Sequence, residues 1–526
     1  MKLERLQEYV LPVVATLAGM AFAGYLGYLM GQGLVSRVAL MLGLLFFGFL
    51  TMVMRQYIWL LIVVTWPWPG SIPVLPVPLS VRDLGVLAVF VAYLGLKALK
   101  VARRKPQWGP ADLAMVVLLV YIATVFVRNP VGFLATNSMR VGCRPYLNIV
   151  LACVGYFVLA RASIPVRSAS RIIILTVLAS SWALTILNAI ADFSPRIGRA
   201  LLNYYTGLSV AQEVDVTKPA LAPGEVVERY DYLGYLGSST NLALVSFYRA
   251  FEVVNPIYIA RFLLLLFSTA CILLSGFRSA FIGTIAYFAI SSYLRSGWDE
   301  IVRLGIIALL GLGIVVAGQG RLYDLPLAAQ RALSFLPGAW SYTARESASA
   351  SSEWRFEMWR IMLQGNKYVQ SKWFGDGFGI SKRDMAAMAY ANQMGTGGQE
   401  TMLILGAVHN GPLSTVRFVG YVGLVLYLVV LVLIARFAWQ LARRSQGTPY
   451  LPLAFFVAIP LVYEPFNFVF IFGGFDSAVP QMIYSLGMLK LVQNTLDDHF
   501  EVKTEAAPAS RRRAADPQFA LAGGGR

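Results

Sequence analysis

Long apolar stretches, separated by short polar linkers, make up most of the 526-residue sequence. A helix needs about 20 mostly apolar residues to cross the ~30 Å hydrocarbon core of a membrane. Stretches of this length recur along the chain, and they are continuous rather than alternating, unlike the strands of a membrane β-barrel. The pattern therefore predicts an all-α polytopic membrane protein.

The linkers between the apolar stretches predict a topology. Many are rich in Lys and Arg, which are in excess in the cytoplasmic loops of membrane proteins. With these linkers inside, the chain has about 14 transmembrane helices and both termini in the cytoplasm. Prolines after Trp66 interrupt the third span, so a half-span is the alternative there. The predicted spans are 9–30, 35–54, 57–72, 82–98, 111–127, 146–160, 171–191, 238–254, 258–275, 279–295, 302–318, 411–438, 451–472 and 475–493.

The amino-acid composition agrees with a membrane protein and argues against a nucleic-acid partner. The chain is 57% hydrophobic and 13% charged, whereas soluble domains are about 25% charged. Topological bias of the basic linkers accounts for the net charge of +17, in preference to a dedicated anionic partner, and we expect no nucleic-acid partner. The three cysteines lack Cys-x-x-Cys spacing, and we expect no structural disulfide. The first apolar stretch is interpreted as a retained anchor rather than a removed signal peptide.

Two large polar segments, 192–237 and 319–410, fall on the side of the membrane away from the cytoplasm in this topology. The second is predicted to be a large, partly helical loop. The first contains Arg229-Tyr230-Asp231-Tyr232 and Tyr235, which suit either a sugar groove or, as we favour slightly, an interfacial aromatic belt. The tail is rich in Ala, Pro and Arg, which predicts disorder. The predicted organisation is an N-terminal transmembrane scaffold 1–237, a central region 238–440, C-terminal transmembrane helices 441–496 and a cytoplasmic tail 497–526.

Arg278 is an arginine that topological bias does not explain. It lies in the short turn Gly276-Phe277-Arg278-Ser279-Ala280, between two apolar spans on the non-cytoplasmic side. A charged residue at a membrane boundary is a functional candidate. The structural alternative is a side chain that reaches lipid phosphates.

The sequence from Glu353 to Gln364 predicts a short helix within the second polar segment. Ser352 suits the N-cap and Gly365 suits the stop. Arg355 and Trp359 share one face of this helix, where a cation–π contact would hold the guanidinium rigidly. The alternative is an amphipathic helix that lies on the bilayer with its arginine at the headgroups.

His409 is one of only two histidines in the chain. It closes the second polar segment in a His409-Asn410 pair, directly before Gly411 and Pro412, where a proline suits the first turn of a helix. Histidine accepts and releases protons near neutral pH, which makes His409 a candidate general base. The structural alternative is a residue that caps the helix or bonds a loop carbonyl.

The order of these motifs is more informative than any one of them. A Ser-Gly-Phe-Arg-Ser-Ala-Phe turn precedes a polar segment with Arg-x-x-x-Trp and the glycine-rich turn Phe-Gly-Asp-Gly-Phe-Gly. His-Asn then enters a long span that contains Gly420-Tyr421-Val422-Gly423-Leu424. This succession resembles the O-antigen ligase and O-antigen polymerase superfamily, over roughly residues 238–440.

The resemblance implies a metal-independent glycosyltransferase of the bacterial inner membrane. Such an enzyme moves a glycan from a polyprenyl diphosphate carrier to an acceptor hydroxyl on the periplasmic side. The resemblance implies that Arg278 and Arg355 hold the donor diphosphate and that His409 activates the acceptor. Candidates for acceptor contacts or supporting roles are Trp359, Arg360, Asp376, Glu400 and Asn410.

The implied partners are a polyprenyl diphosphate-linked oligosaccharide, a glycan or lipid A core acceptor, membrane lipids and other polysaccharide-assembly proteins. The chain has no HExxH and no clustered Asp-x-Asp in a predicted outer segment, so we expect no metal, and we expect no cofactor. Three functions stay open at this point. A polymerase would join repeat units, a ligase would transfer the finished chain to lipid A core or protein, and a transporter would move the lipid-linked glycan without forming a bond.

Overall fold

A computed structural model describes most of the chain beyond residue 56. The chain divides into two compact units, residues 1–58 with 94–102 and residues 59–93 with 103–526, and the account below concerns the second. The predicted spans 9–30 and 35–54 and the tail beyond 505 lie wholly or largely outside the described residues. The structure describes 57–68, 70–73, 79–98, 106–132, 140–164, 168–208, 229–394 and 397–505, with 20–21, 23–33 and a few positions between 38 and 54.

The described chain is mostly helical. Its only paired strands among these residues are β1 (Arg140–Val141) and β2 (Ile380–Ser381), which form a short antiparallel ladder. The helices are α1 (Leu60–Thr65), α2 (Val81–Ala98), α3 (Pro110–Arg128), α4 (Arg144–Leu159), α5 (Ala169–Phe193), α6 (Pro195–Leu202), α7 (Asp231–Phe247), α8 (Ala250–Val254), α9 (Ile259–Leu274), α10 (Arg278–Ser296), α11 (Trp298–Gly318), α12 (Leu327–Leu333), α13 (Tyr342–Leu363), α14 (Lys382–Gln393), α15 (Gly397–Leu405), α16 (Gly411–Arg444), α17 (Leu451–Phe466) and α18 (Phe475–Glu505).

Five helical stretches in the described part are long and apolar enough to cross a membrane. Two shorter helices, α4 and α9, are also apolar. These helices support the prediction of a membrane protein, since soluble helices rarely carry such uninterrupted apolar sequence. The five stretches are Pro110–Arg128, Ala169–Phe193, Trp298–Gly318, Gly411–Arg444 and Leu451–Ile471.

Helix positions follow the apolar stretches closely, with four departures. Helix α18 continues to Glu505, beyond the predicted span 475–493, so the first residues of the predicted disordered tail 497–526 are helical. The stretch 57–72 contains only the six-residue helix α1, as expected where prolines interrupt a helix. The predicted span 238–254 is divided, because α7 begins earlier, at Asp231, and ends before the extended backbone of Tyr248. The predicted boundary between 237 and 238 therefore lies inside α7. The last turn of α17 continues as a π-helix, Asn467–Ile471.

The residues from 319 to 410, called the loop region below, contain the four helices α12 to α15. The predicted helix start at Glu353 is wrong. Helix α13 begins at Tyr342, where the Ser341 hydroxyl accepts a hydrogen bond from the Ala344 amide. The serine- and alanine-rich sequence before Glu353 thus belongs to the helix rather than to its cap. Gly365, the predicted stop, has a positive φ of 73° just after the helix ends.

A kink in α16 anchors the loop region to the helical core. Gly420 interrupts the helix with φ 71°, and an added Cβ there would meet the Trp373 carbonyl at 2.2 Å. Only glycine permits this conformation and this close approach. The amide of Tyr421 donates to the Lys372 carbonyl, and the hydroxyl of Tyr121 in α3 donates to the Val419 carbonyl. The kink fixes the glycine-rich turn of the loop region against the helices.

Candidate functional site

Arg278 lies at the first position of α10, directly after a tight turn. The turn is possible because Gly276 adopts φ 68°, a conformation that favours glycine. One terminal nitrogen of Arg278 donates to the Ala348 carbonyl at 2.6 Å and lies 3.5 Å from the Ser352 hydroxyl. These contacts join α10 to α13. Its other two guanidinium nitrogens make no hydrogen bond to the described residues, so they remain available to a ligand.

Arg331 in α12 connects the same two elements. Its Nη1 donates to the Gly276 carbonyl at 2.8 Å, and its Nε donates to the Ser347 hydroxyl of α13 at 3.0 Å. The side chain is only 6% exposed. Arg331 therefore fixes the turn that precedes Arg278 relative to the helix that carries Arg355.

Arg355 and Arg229 complete a cluster of four arginines, called the arginine cluster below. Arg355 is half-buried and lies within electrostatic range of Arg278 and Arg229. Arg331 is within range of the other three arginines. Arg229 is exposed, with its guanidinium 5.9 Å from the centre of the Phe277 ring. Neither Arg229 nor Arg355 makes a hydrogen bond or an ion pair with the described residues.

The cluster concentrates positive charge in a partly dry environment. Burial lowers the pKa of Arg278, and burial together with Arg278 and Arg229 lowers the pKa of Arg355. Burial and the three neighbouring arginines lower the pKa of Arg331 to about 10. All these groups remain protonated at neutral pH. The acidic group that acts on Arg331 within the described chain is Asp231, so four positive charges face one negative charge.

His409 lies beside the arginine cluster. Its ring stacks on Phe472 with 5.1 Å between ring centres, and the centre of the Trp354 ring lies 6.3 Å away. Burial, and then the positive charge of Arg355, lower the pKa of His409. The shift favours the neutral imidazole, which is the form that accepts a proton. The backbone of His409 has φ 52°, and it is the only described non-glycine residue with a positive φ.

Two neighbours of His409 in sequence fix its position. The Trp359 indole donates to the Val408 carbonyl at 3.0 Å, which ties α13 to the residue before the histidine. Asn410 caps α16, since its side-chain oxygen accepts a hydrogen bond from the Leu413 amide at 3.0 Å. The predicted cation–π contact between Arg355 and Trp359 does not occur in the described structure. Trp359 supports His409 instead, and Asn410 has the capping role that was the structural alternative for His409.

The remaining predicted residues have partners of their own. Arg360 is exposed and pairs with Glu357 on the preceding turn of α13. The carboxylate of Glu400 accepts a hydrogen bond from the Tyr368 hydroxyl at 2.7 Å and pairs with Lys367 at 3.0 Å. The charged groups of Arg360 and Glu400 are therefore paired with side chains of the loop region itself.

Asp376 is 5% exposed and forms a buried ion pair with Arg417 at 3.2 Å. Its carboxylate also accepts hydrogen bonds from the amides of Gln370 and Ser371. Asp376 thus anchors the glycine-rich turn to α16. These contacts give Asp376 a structural role that requires no ligand.

Sequence reasoning did not identify Arg331 or Trp354, and it placed Arg229 in a sugar groove or an interfacial belt rather than beside Arg278 and Arg355. Arginines are common in polar segments, so the sequence alone gives Arg331 no distinction. Arg331 has two acceptors, the Gly276 carbonyl and the Ser347 hydroxyl, which lie 55 and 16 residues away along the chain. Only the fold brings these partners together.

The arrangement combines a cluster of positively charged guanidinium groups with an imidazole whose pKa is lowered. Guanidinium groups meet phosphate oxygens with paired, charge-assisted hydrogen bonds. A neutral histidine next to such a site is placed to remove a proton from a hydroxyl that attacks the bound group. Within the described residues, no three His, Cys, Asp or Glu side chains lie together in a way that suits a metal ion.

Comparison with known proteins adds no assignment. No protein-family model matches the sequence, and no curated protein matches it.

Proposed function

We propose that this protein is a membrane glycosyltransferase that moves a glycan from a polyprenyl diphosphate carrier to an acceptor hydroxyl. The observation that carries the proposal is the arginine cluster beside His409. In this proposal, Arg278 and Arg355 bind the donor diphosphate, and Arg331 and Arg229 add positive charge around it. His409 is the general base.

The charge of the arginine cluster suits a departing diphosphate. The carrier diphosphate gains one further negative charge when its bond to the sugar breaks, so the transition state is more negative than the bound donor. Preorganised donors at developing charge contribute several kcal/mol in a water-poor site. The free nitrogens of Arg278 and Arg355 provide such donors, and the half-buried setting strengthens each contact.

His409 supplies the second half of the reaction in this proposal. A sugar hydroxyl is a poor nucleophile, and a positioned base accelerates its attack by roughly 10²–10⁴-fold. The hydroxyl oxygen forms the new glycosidic bond as the sugar's bond to the diphosphate breaks. The hydroxyl proton passes to His409, and the electron pair leaves on the diphosphate.

The most favoured reaction within this proposal is polymerisation of polysaccharide repeat units for an exopolysaccharide, a capsule or an O-antigen. The large polar segments 192–237 and 319–410 favour an enzyme that handles a polymer. A ligase that transfers the glycan to lipid A core or protein is the second candidate. A transporter is disfavoured because it needs neither a base nor four converging arginines. The proposed setting is the bacterial inner membrane, with about 14 spans and the site facing the periplasm.

Lysine substitution tests the role assigned to the arginines. Arg278→Lys and Arg355→Lys keep the charge but remove the planar fork of donors. We expect each to lower the transfer rate by about 10²–10³-fold in purified protein supplied with a polyprenyl diphosphate-linked oligosaccharide and its acceptor. Folding should change little, because a lysine at position 278 can still donate to the Ala348 carbonyl, and Arg355 makes no hydrogen bond or ion pair with the described residues.

Arg345→Lys is the matched control, because Arg345 is an exposed arginine on the same helix as Arg355. It should transfer glycan at the wild-type rate. Rates close to wild type for both cluster variants would contradict the proposed diphosphate site and favour attachment to lipid headgroups.

A further inference from the structure

Glu464 is a carboxyl group that the reaction above does not use. It lies in α17, within the candidate span Leu451–Ile471. Acidic residues inside membrane spans are costly and mark functional sites. The side-chain amide of Asn467 donates a hydrogen bond to the Glu464 carboxylate, at 3.1 Å. Within the described chain, no lysine, arginine or histidine forms an ion pair with Glu464, so its charge has no local counter-ion.

Three tyrosines surround this carboxyl group. Tyr287 of α10, Tyr427 of α16 and Tyr463 of α17 all lie within electrostatic range of Glu464. The rings of Tyr287 and Tyr463 meet edge to face at 5.9 Å. The hydroxyls of Tyr427 and Tyr463 are buried, and neither has a hydrogen-bond partner among the described residues. Tyr427 is 0% exposed. A buried hydroxyl without a partner costs about 1–3 kcal/mol, so a polar ligand here would be stabilising.

The backbone near Glu464 offers a carbonyl oxygen as a further candidate ligand. Pro465 has no N–H, so it cannot donate the usual helical hydrogen bond to the carbonyl of Leu461, one turn earlier. The π-helix Asn467–Ile471 follows directly, and such distortions are frequent at functional sites. The carboxylate also lies near the C-terminal end of a helix, where the helix dipole favours a cation.

These groups share the chemistry of a cation site. A carboxylate, neutral hydroxyls and a freed carbonyl offer only oxygen, as in the sodium sites of transporters that use interrupted helices. The single carboxylate calls for a single positive charge. We propose that Glu464, the hydroxyls of Tyr427 and Tyr463 and the carbonyl of Leu461 bind one sodium ion.

The proposal does not depend on glycosyl transfer, but the two sites share structural elements. The ion would join α16 and α17, because both helices contribute a ligand, and Tyr287 of α10 packs against the ligand Tyr463. Arg278 begins α10, His409 precedes α16, and Phe472, which stacks on His409, follows α17. Sodium bound at Glu464 would therefore stabilise the arrangement of the arginine cluster and His409.

The thermal stability of the purified full-length protein in detergent tests the site. The midpoint of unfolding is measured at one pH in sodium, potassium and choline chloride of equal ionic strength. We expect the wild-type midpoint to rise saturably with sodium and not with potassium or choline. Glu464→Gln keeps the shape and removes the charge, so it should abolish the sodium response. Glu357→Gln, an exposed acid of α13, should respond like the wild type.

Tyr427→Phe provides a second test should Glu464→Gln fail to fold. It removes one ligand oxygen and should raise the sodium concentration for half-maximal stabilisation about tenfold. A wild-type protein without a sodium response, as expected for a carboxyl neutralised by a proton, would overturn the proposal. An unchanged response in Glu464→Gln, or an unchanged half-maximal concentration in Tyr427→Phe, would overturn it too.

Discussion

The arginine cluster and the Asp376–Arg417 pair are both partly or fully buried charged sites, yet they are built in opposite ways. Asp376 and Arg417 are 5% and 6% exposed and carry opposite charges 3.2 Å apart. Two backbone amides also donate to Asp376. The pair balances its own charge, as a buried ion pair that stabilises structure must.

The arginine cluster does not balance its charge within the described residues. Burial and then the other three arginines lower the pKa of Arg331, burial and then Arg278 and Arg229 lower the pKa of Arg355, and Asp231 is the acid that acts on Arg331. Like charges held together in a half-buried site cost free energy unless a ligand supplies the opposite charge. The comparison separates a charge pair that holds the fold from positive charges that, in our proposal, bind an anion.

The largest effect should follow removal of the base. We expect His409→Ala to lower the transfer rate by roughly 10²–10⁴-fold, since the acceptor hydroxyl loses its proton acceptor. Binding of the diphosphate donor should change little, because the arginines remain. Donor binding and turnover are measured separately in purified protein. Turnover at the wild-type rate would show that His409 is structural, and Glu400 would then be the first alternative base to test.

Substitution in the Asp376–Arg417 pair should lower the stability of the fold rather than the transfer rate alone. Asp376→Ala removes the carboxylate that neutralises the buried Arg417 guanidinium, and loss of one partner of a buried ion pair typically costs about 3–5 kcal/mol of stability. We expect a much lower midpoint of thermal unfolding. Glu357→Ala, which breaks an exposed pair on α13, is the control and should shift the midpoint hardly at all. A stable Asp376→Ala protein that cannot bind donor would place Asp376 in the ligand site instead.

Much of the fold was predictable, because apolar length is a strong and local signal. The helix starting at Arg278 and the one starting at Gly411 each begin within a residue of their predicted spans. The start of α13 at Tyr342 was missed, since serine favours N-caps, and Ser352 inside the helix therefore suits a helix start as well as Ser341 does. Arg331 was missed because its acceptors, Gly276 and Ser347, belong to other elements.

A smaller effect should follow loss of the support for His409. Trp359→Phe keeps an aromatic ring but removes the donor to the Val408 carbonyl, which is worth about 1–3 kcal/mol when its acceptor is buried. We expect a several-fold lower transfer rate with unchanged donor binding. Trp373→Phe is the control, because Trp373 is 67% exposed. Equal transfer rates in the two variants would show that the Trp359 indole does not position His409.

The smallest expected effect is a shift in the titration of His409. Its pKa is lowered by burial and then by Arg355, so the ring should become protonated only below the ordinary value of about 6.5. Transfer, which needs the neutral ring, should therefore persist to a lower pH than for an unperturbed histidine and fall below it. Arg355→Gln removes the neighbouring positive charge and should raise the pKa of His409. The chain has only two histidines, so nuclear magnetic resonance of labelled imidazoles can follow each, with His499 as the internal control. A His409 titration that is identical in wild type and Arg355→Gln would mean that the two groups do not interact, and the arginine cluster and the base would then be separate sites.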